Sequence, residues 1–119
     1  MFHYSILQLP MSNERCFMDV DYDKINLADY VHVFHFESDV EVSLENIFMK
    51  LNIDHPVGYR ARSMSVSDVI IVKNEETKRR KIYVVDSIGF KEVKEIRSWV
   101  HLNNIPKGSS TKYYGRTDS

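Results

Sequence analysis

Hydrophobic and polar positions along the chain form several short apolar runs and one stretch with helical spacing. Residues 3–9 and 30–36 are rich in β-branched and aromatic side chains, which is typical of strands. The first run stops at Pro10, which has no N–H to offer a neighbouring strand. The second run has apolar side chains at both odd and even positions, which predicts a central strand covered on both faces.

The run 30–36 also contains two histidines. Successive side chains of a strand point to opposite faces, so His32 and His35, three positions apart, are predicted to face opposite ways. We therefore expect them to be packed or to lie at the sheet margin, and not to share a metal ion.

Two segments have the spacing of amphipathic helices. Ser43 is a good N-cap, and four apolar residues follow at i, i+3, i+4 and i+7, the spacing of one buried stripe: Leu44, Ile47, Phe48 and Leu51. A second helix is predicted over residues 92–102, ended by Asn103 and Pro106.

Residues 66–72 and 82–86 are predicted to pair as a hairpin across a charged connection at 73–81, and residues 90–93 to add a short strand. The predicted fold is α+β, a small and mostly antiparallel sheet of about four to five strands packed with two amphipathic helices. One domain is expected over residues 1–105, followed by a flexible, polar and basic tail at 106–119.

Length and composition are those of an ordinary globular domain, with 119 residues, 43% hydrophobic and 28% charged. The single cysteine, Cys16, excludes an internal disulfide and fits a reducing compartment. No apolar run is long enough to span a membrane, and the N-terminus lacks the features of a signal peptide. We expect a cytoplasmic protein without membrane contact.

The near-neutral net charge hides an uneven distribution. Residues 1–54 hold ten acidic and three basic residues, a net of −7, whereas residues 55–119 hold seven acidic and thirteen basic residues, a net of +6. This asymmetry indicates surfaces for charged partners, although the halves also compensate each other if they fold together. The candidate partner-binding residues are Asp19, Asp21, Asp23, Glu37, Asp39, Glu41, Lys78, Arg79, Arg80 and Lys81.

Signals for catalysis are weak. A serine–histidine–acid set can be drawn from His55, Ser65 and Asp86, but no Gly-x-Ser-x-Gly turn accompanies it. Glycine-rich phosphate loops and Cys/His metal spacing are absent from the sequence, and Lys24 stands where a calcium loop starting at Asp19 needs glycine. We predict a protein that is not an enzyme and has no cofactor and no metal.

Three segments carry a family resemblance. Residues 52–56 read Asn-Ile-Asp-His-Pro, residues 62–69 Arg-Ser-Met-Ser-Val-Ser-Asp-Val, and residues 83–90 Tyr-Val-Val-Asp-Ser-Ile-Gly-Phe. In these motifs the chain resembles the YodL-like domain family. The resemblance implies a small α+β domain common on bacterial phages and mobile elements, with no established enzymatic activity. Its polar positions form either a shared surface or a structural corner, and the residue types favour a corner: Asp54, His55, Arg62, Ser63, Ser65, Asp68, Asp86 and Ser87.

The leading functional hypothesis is a non-enzymatic protein-binding module of a phage or mobile element that inhibits a host protein. Its specific form is counter-defence, such as inhibition of a CRISPR effector, because an acidic surface can occupy a basic nucleic-acid channel. Two alternatives remain: a regulator of a housekeeping assembly such as the cell-shape or division machinery, and a nucleic-acid-binding accessory protein. We expect the partner surface in the acidic first half, the 73–81 connection and the tail.

Overall fold

The computed structural model of the chain describes residues 1–13, 16, 25–53 and 61–93. Five strands form one sheet: β1 (Phe2–Gln8), β2 (Val31–Ser38), β3 (Val69–Asn74), β4 (Arg80–Val85) and β5 (Phe90–Val93). Among the described residues, the α-helix α1 (Leu44–Lys50) connects β2 to the segment before β3, and a 3-10 turn (Leu27–Asp29) precedes β2.

The sheet is antiparallel throughout, in the order β2-β1-β3-β4-β5. β3 and β4 form the predicted hairpin, but both strands extend into the charged segment and leave only residues 75–79 as the turn. β2 was predicted to be central and instead lies at an edge of the described sheet. Its apolar side chains Phe34 and Phe36 pack on the side of the sheet covered by α1, whereas His35 and Glu37 occupy the other face, so the strand is not apolar on both faces.

Two hydrophobic clusters cover the two faces of the sheet. On one face, Ile47 of α1 and Leu51 at its C-terminal cap pack against Tyr4, Ile6 and the β2 aromatics; we call this the helix face. On the other face the segment before β2 contributes the buried Ile25, Leu27 and Tyr30, which pack with Leu7, Ile71, Ile82 and Val84. Side chains alternate between the clusters along β1, as the period of two requires.

The predicted α+β class with two amphipathic helices is wrong. The described residues form a mostly β domain in which α1, seven residues long, is the only α-helix. The N-cap prediction holds, because Ser43 Oγ accepts a hydrogen bond from Asn46 N at 3.2 Å. The predicted helix at 92–102 begins inside β5, where Val93 is paired with Ile82, and the rest of it lies outside the described residues. The predicted tail at 106–119 also lies outside them.

A β-bulge changes which side chains of β2 face together. Ile6 pairs with Phe34 but Leu7 pairs with His32, so that Val33 is the extra residue. His32 is therefore turned to the same face as His35, and the two rings lie edge-on with their centroids 6.2 Å apart. The expectation of opposite faces is wrong, because a period-two argument holds only for an uninterrupted strand.

Candidate functional site

The candidate residues that the structure describes fall at opposite ends of the sheet. Phe2, at the start of β1, is opposite Ser38 on one side and Asn74 on the other. The exit of β2 and the β3–β4 turn therefore meet at this end, which we call the charged end and define as residues 37–41 and 75–81. At the other end, Leu7 and Gln8 lie beside the start of β3 and the end of β4.

The charged end gathers seven of the predicted partner-binding residues from two distant parts of the chain. Six of them are exposed, and Glu37 is half-buried: Asp39, Glu41, Lys78, Arg79, Arg80 and Lys81. Asp19, Asp21 and Asp23 lie outside the described residues. The sequence separated these groups into an acidic half and a basic half, whereas the strand pairing makes them one surface of mixed charge.

Hydrogen bonds within the β3–β4 turn fix how the basic residues are presented. Asn74 Oδ1 accepts from the backbone N–H groups of Glu76 at 3.0 Å and Thr77 at 3.4 Å, and Asn74 O accepts from Lys78 N at 2.8 Å. Lys78 takes a φ of 63°, a left-handed conformation that reverses the chain before β4. These hydrogen bonds give the turn a defined conformation in which Lys78 and Arg79 are exposed to solvent.

A groove of about 310 Å³ opens on the helix face beside the charged end. Glu41 and Lys81 line it with opposite charges, and its floor includes Tyr4 and Val72. The Tyr4 hydroxyl accepts a hydrogen bond from Val42 N at 2.7 Å, and burial is the main cause that raises the pKa of Tyr4. The groove combines an apolar floor with a charge of each sign at its rim.

A histidine–carboxylate cluster on the opposite face of the sheet was not predicted from the sequence. His3 lies directly across from Glu37, and its Nδ1 is 3.3 Å from Glu37 Oε1 while its Nε2 is 3.3 Å from Glu75 Oε2. His35, opposite Ser5, brings its Nδ1 to 3.2 Å from Ser5 Oγ. Burial, with help from His32 and His3, lowers the pKa of His35 to about 4. The sequence signal for this cluster was the spacing of His35 and Glu37, which places both side chains on one face of β2. It identifies a cluster only when the strand register that puts His3 opposite Glu37 is known.

The polar residues of the motif segment converge on one buried carboxylate at the other end of the sheet. Asp68 is 0% exposed. Its Oδ2 accepts from Ser65 N at 2.9 Å and from Gln8 Nε2 at 3.0 Å, and its Oδ1 accepts from Arg62 Nη2 at 3.2 Å. We call Gln8, Arg62, Ser65 and Asp68 the buried corner. Gln8 also donates to Arg62 O at 3.1 Å, so the corner joins β1 to the segment that leads into β3.

The backbone next to Asp68 completes this junction. Ser67 is fully buried with a φ of 84°, and its carbonyl accepts a 2.7 Å hydrogen bond from the Tyr30 hydroxyl. Ser67 N donates to Val85 O at 3.0 Å, and Val85 N donates to Asp68 O at 2.8 Å, which ties the corner to the end of β4. Burial raises the pKa of Asp68 to about 6, although the Ser65 N–H, Arg62 and Gln8 act in the opposite direction.

The remaining motif residues are dispersed. Ser63 is exposed, and Asp86 and Ser87 begin the β4–β5 turn, where Asp86 Oδ1 accepts from Ser87 Oγ at 3.1 Å. Asp54 and His55 lie outside the described residues, so the drawn set of His55, Ser65 and Asp86 stays a hypothesis. Of that set, Asp86 stabilises a turn, and the Ser65 N–H is bound to Asp68.

Sheet, helix and buried corner together define a small, mostly β domain whose polar motif residues Arg62, Ser65 and Asp68 are directed inward. The YodL-like domain model matches residues 4–96, which include the whole buried corner and all five strands except the first two residues of β1. The chain belongs to the YodL-like domain family, as its motifs predicted. No curated protein and no solved structure matches the chain. Within the described residues, no helix has the length and apolar character needed to cross a membrane.

Proposed function

We propose that this protein is a non-enzymatic binding module that docks on a host protein through the charged end. The observation that supports this most is the convergence of two exposed segments of opposite charge at one end of the sheet. Surfaces of mixed charge favour a partner with a complementary pattern, and they also disfavour wrong partners through repulsion between like charges. The groove with its apolar floor supplies the adjoining contact area.

A protein partner fits the charged end better than a nucleic acid does. Phosphates are bound by lysine and arginine side chains that release counterions, and every nearby carboxylate works against this. Glu75 and Glu76 are exposed in the same turn as Lys78 and Arg79, and Asp39 and Glu41 are exposed at the same end of the sheet. A nucleic acid approaching the turn would meet acidic groups on both sides.

The finer form of the proposal is counter-defence in the bacterial cytoplasm: the module of a phage or mobile element inhibits an immune effector such as a CRISPR nuclease. Its support is the family resemblance together with the acidic groups Glu37, Asp39 and Glu41, which can compete for a basic nucleic-acid channel. A regulator of the cell-shape or division machinery would use the same kind of charged surface. The two forms differ in the partner captured.

A charge-swap experiment tests the docking surface. The double variant Glu41→Lys with Lys81→Glu keeps the net charge but inverts the rim of the groove, so we expect capture of the partner from host lysate to fall at least about tenfold, since like charges then face each other. Lys81→Glu alone should weaken capture as well. Lys91→Glu makes the same charge change on the opposite face of the sheet, where Lys91 is half-buried opposite Val84, and should leave capture unchanged.

The outcomes separate the candidate functions. One stoichiometric protein, captured by the wild type and lost by the double variant, supports the proposal, and its identity distinguishes an immune effector from a cell-shape protein. Capture that is equal for the wild type and the double variant would refute docking at the charged end. Salt-sensitive gel shifts with nucleic acid in the absence of any protein partner would favour the nucleic-acid-binding alternative.

A further inference from the structure

We propose that His3, His35 and Glu37 form a binding site for a divalent transition-metal ion, of which zinc is the best representative. A ring nitrogen of each histidine and a carboxylate oxygen of Glu37 lie within 4.8 Å of one another. Two histidines and one carboxylate are a ligand set that zinc uses when a fourth position is left open to water. Glu37 also belongs to the charged end, but the site faces the side of the sheet opposite the groove, and zinc binding can be measured without any partner.

The strand register brings the three side chains together. His3 of β1 is directly opposite Glu37 of β2, and His35, two residues from Glu37, projects on the same face beside Ser5. The three ligands therefore stand on two hydrogen-bonded strands and not on loops, which limits their relative motion. In a tetrahedral zinc site, bonds of about 2.0–2.1 Å put neighbouring ligand atoms about 3.4 Å apart. Rotation of the partly exposed His3 and Glu37 side chains closes the difference.

The surroundings of the histidines resemble a metal site's outer shell. Glu75 Oε2 lies 3.3 Å from His3 Nε2, and a carboxylate there accepts the Nε2 proton and leaves Nδ1, beside Glu37, to bind the metal. Ser5 Oγ, 3.2 Å from His35 Nδ1, can accept the proton of that nitrogen and leave Nε2 as the ligand atom. Each ring thus has a polar neighbour that can hold the tautomer needed for metal binding.

Exposure and ligand chemistry define the kind of ion. The side chains of His3 and Glu37 are each 25% exposed, so an ion can enter from solvent and keep water in its open position. Imidazole nitrogen suits zinc, copper, nickel and iron, whereas magnesium and calcium prefer all-oxygen ligands. The site should therefore accept zinc and reject magnesium.

The test is titration of the untagged, chelator-treated full chain with zinc chloride, followed by calorimetry and by thermal unfolding. We expect one zinc per chain and a rise in the midpoint of unfolding, because an ion that binds only the folded state stabilises it. His3→Ala and Glu37→Gln should each weaken zinc binding at least about tenfold. Magnesium chloride should produce neither effect.

Glu41→Gln is the matched control for Glu37→Gln, because it removes an exposed carboxylate from the same end of the sheet but from outside the cluster. Circular dichroism of each variant without metal checks that the fold is intact. His3 and Glu37 are partly exposed, so either variant alone keeps the test valid if the other unfolds. No binding of zinc by the wild type, unchanged binding in both ligand variants, or an equal loss in Glu41→Gln would each overturn the site.

Discussion

Replacing Asp68 by alanine is expected to lower the free energy of unfolding by about 3 kcal/mol at neutral pH. Asp68 is fully buried, and its loss leaves the Ser65 N–H and one hydrogen of the Gln8 amide without their acceptor. Each buried donor left in this way costs about 1–3 kcal/mol, and the small cavity adds to that cost. Arg62 loses less, because its side chain is 22% exposed and Nη2 also contacts Cys16 Sγ at 3.3 Å.

Urea unfolding of the purified variant measures the effect, with Asp39→Ala as the matched control. Asp39 is an exposed aspartate at the opposite end of the sheet, so its removal should change the free energy of unfolding by less than about 0.5 kcal/mol. If both variants stay within that range of the wild type, the buried corner does not stabilise the fold, and Asp68 would have to be explained by a role in binding.

The strands were largely predictable from local sequence, but the partners of each strand were not. β-branched and aromatic runs marked all five segments as extended, and the hairpin of β3 and β4 followed from their closeness along the chain. β1, however, pairs with both β2 and β3, which lie far away in sequence. The charged end and the histidine cluster depend on those pairings, so no pattern within one segment could reveal them.

The predicted helix at 92–102 overlaps β5 at Glu92 and Val93, and there tertiary pairing overrides local periodicity, while its other residues lie outside the described part of the chain. Apolar spacing allowed residues after 92 to be read as a helical stripe, but residues 90–93 pair with β4. Val93 is buried opposite Ile82, and the Phe90 ring lies 6.1 Å from the Phe48 ring of α1 in a T-shaped arrangement. Completing the sheet edge and covering the helix face both favour a strand here.

The buried corner was only partly visible in the sequence. Arg62, Ser65 and Asp68 are close in the chain, and such short polar side chains commonly bond to nearby backbone groups, which motivated the idea of a corner. Gln8, which donates to both Arg62 O and Asp68, lies 60 positions from Asp68 and belongs to no motif. Position 67 has a left-handed φ of 84°, but it is occupied by serine and not by glycine, the residue that usually marks this conformation in a sequence.

The second large effect expected is a pH dependence due to Asp68. An aspartate that accepts three hydrogen bonds, one from an arginine, is usually held ionised, with its pKa below the normal value. Here burial outweighs those donors and raises the pKa of Asp68 from 3.8 to about 6. Between these two values the folded chain holds a proton that the unfolded chain has released. The free energy of unfolding contributed by Asp68 is therefore largest below about pH 4 and falls as pH rises through 6.

Comparison of the wild type with Asp68→Asn isolates this contribution. The asparagine does not titrate, and the other titratable groups are present in both proteins, so their contributions cancel in the difference. We expect the stability of the wild type relative to Asp68→Asn to fall by about 2–3 kcal/mol between pH 4 and pH 7. Urea unfolding of both proteins across this range gives the difference directly.

The sign of that difference decides which force governs the buried corner. If the wild type instead gains stability relative to Asp68→Asn as pH rises, the ion pair with Arg62 at 3.2 Å outweighs burial, and Asp68 is ionised throughout the range. A fall means that the corner is most stable with a neutral Asp68. Neutralising an aspartate that is 0% exposed avoids the cost of a buried charge, and for this reason we expect the fall.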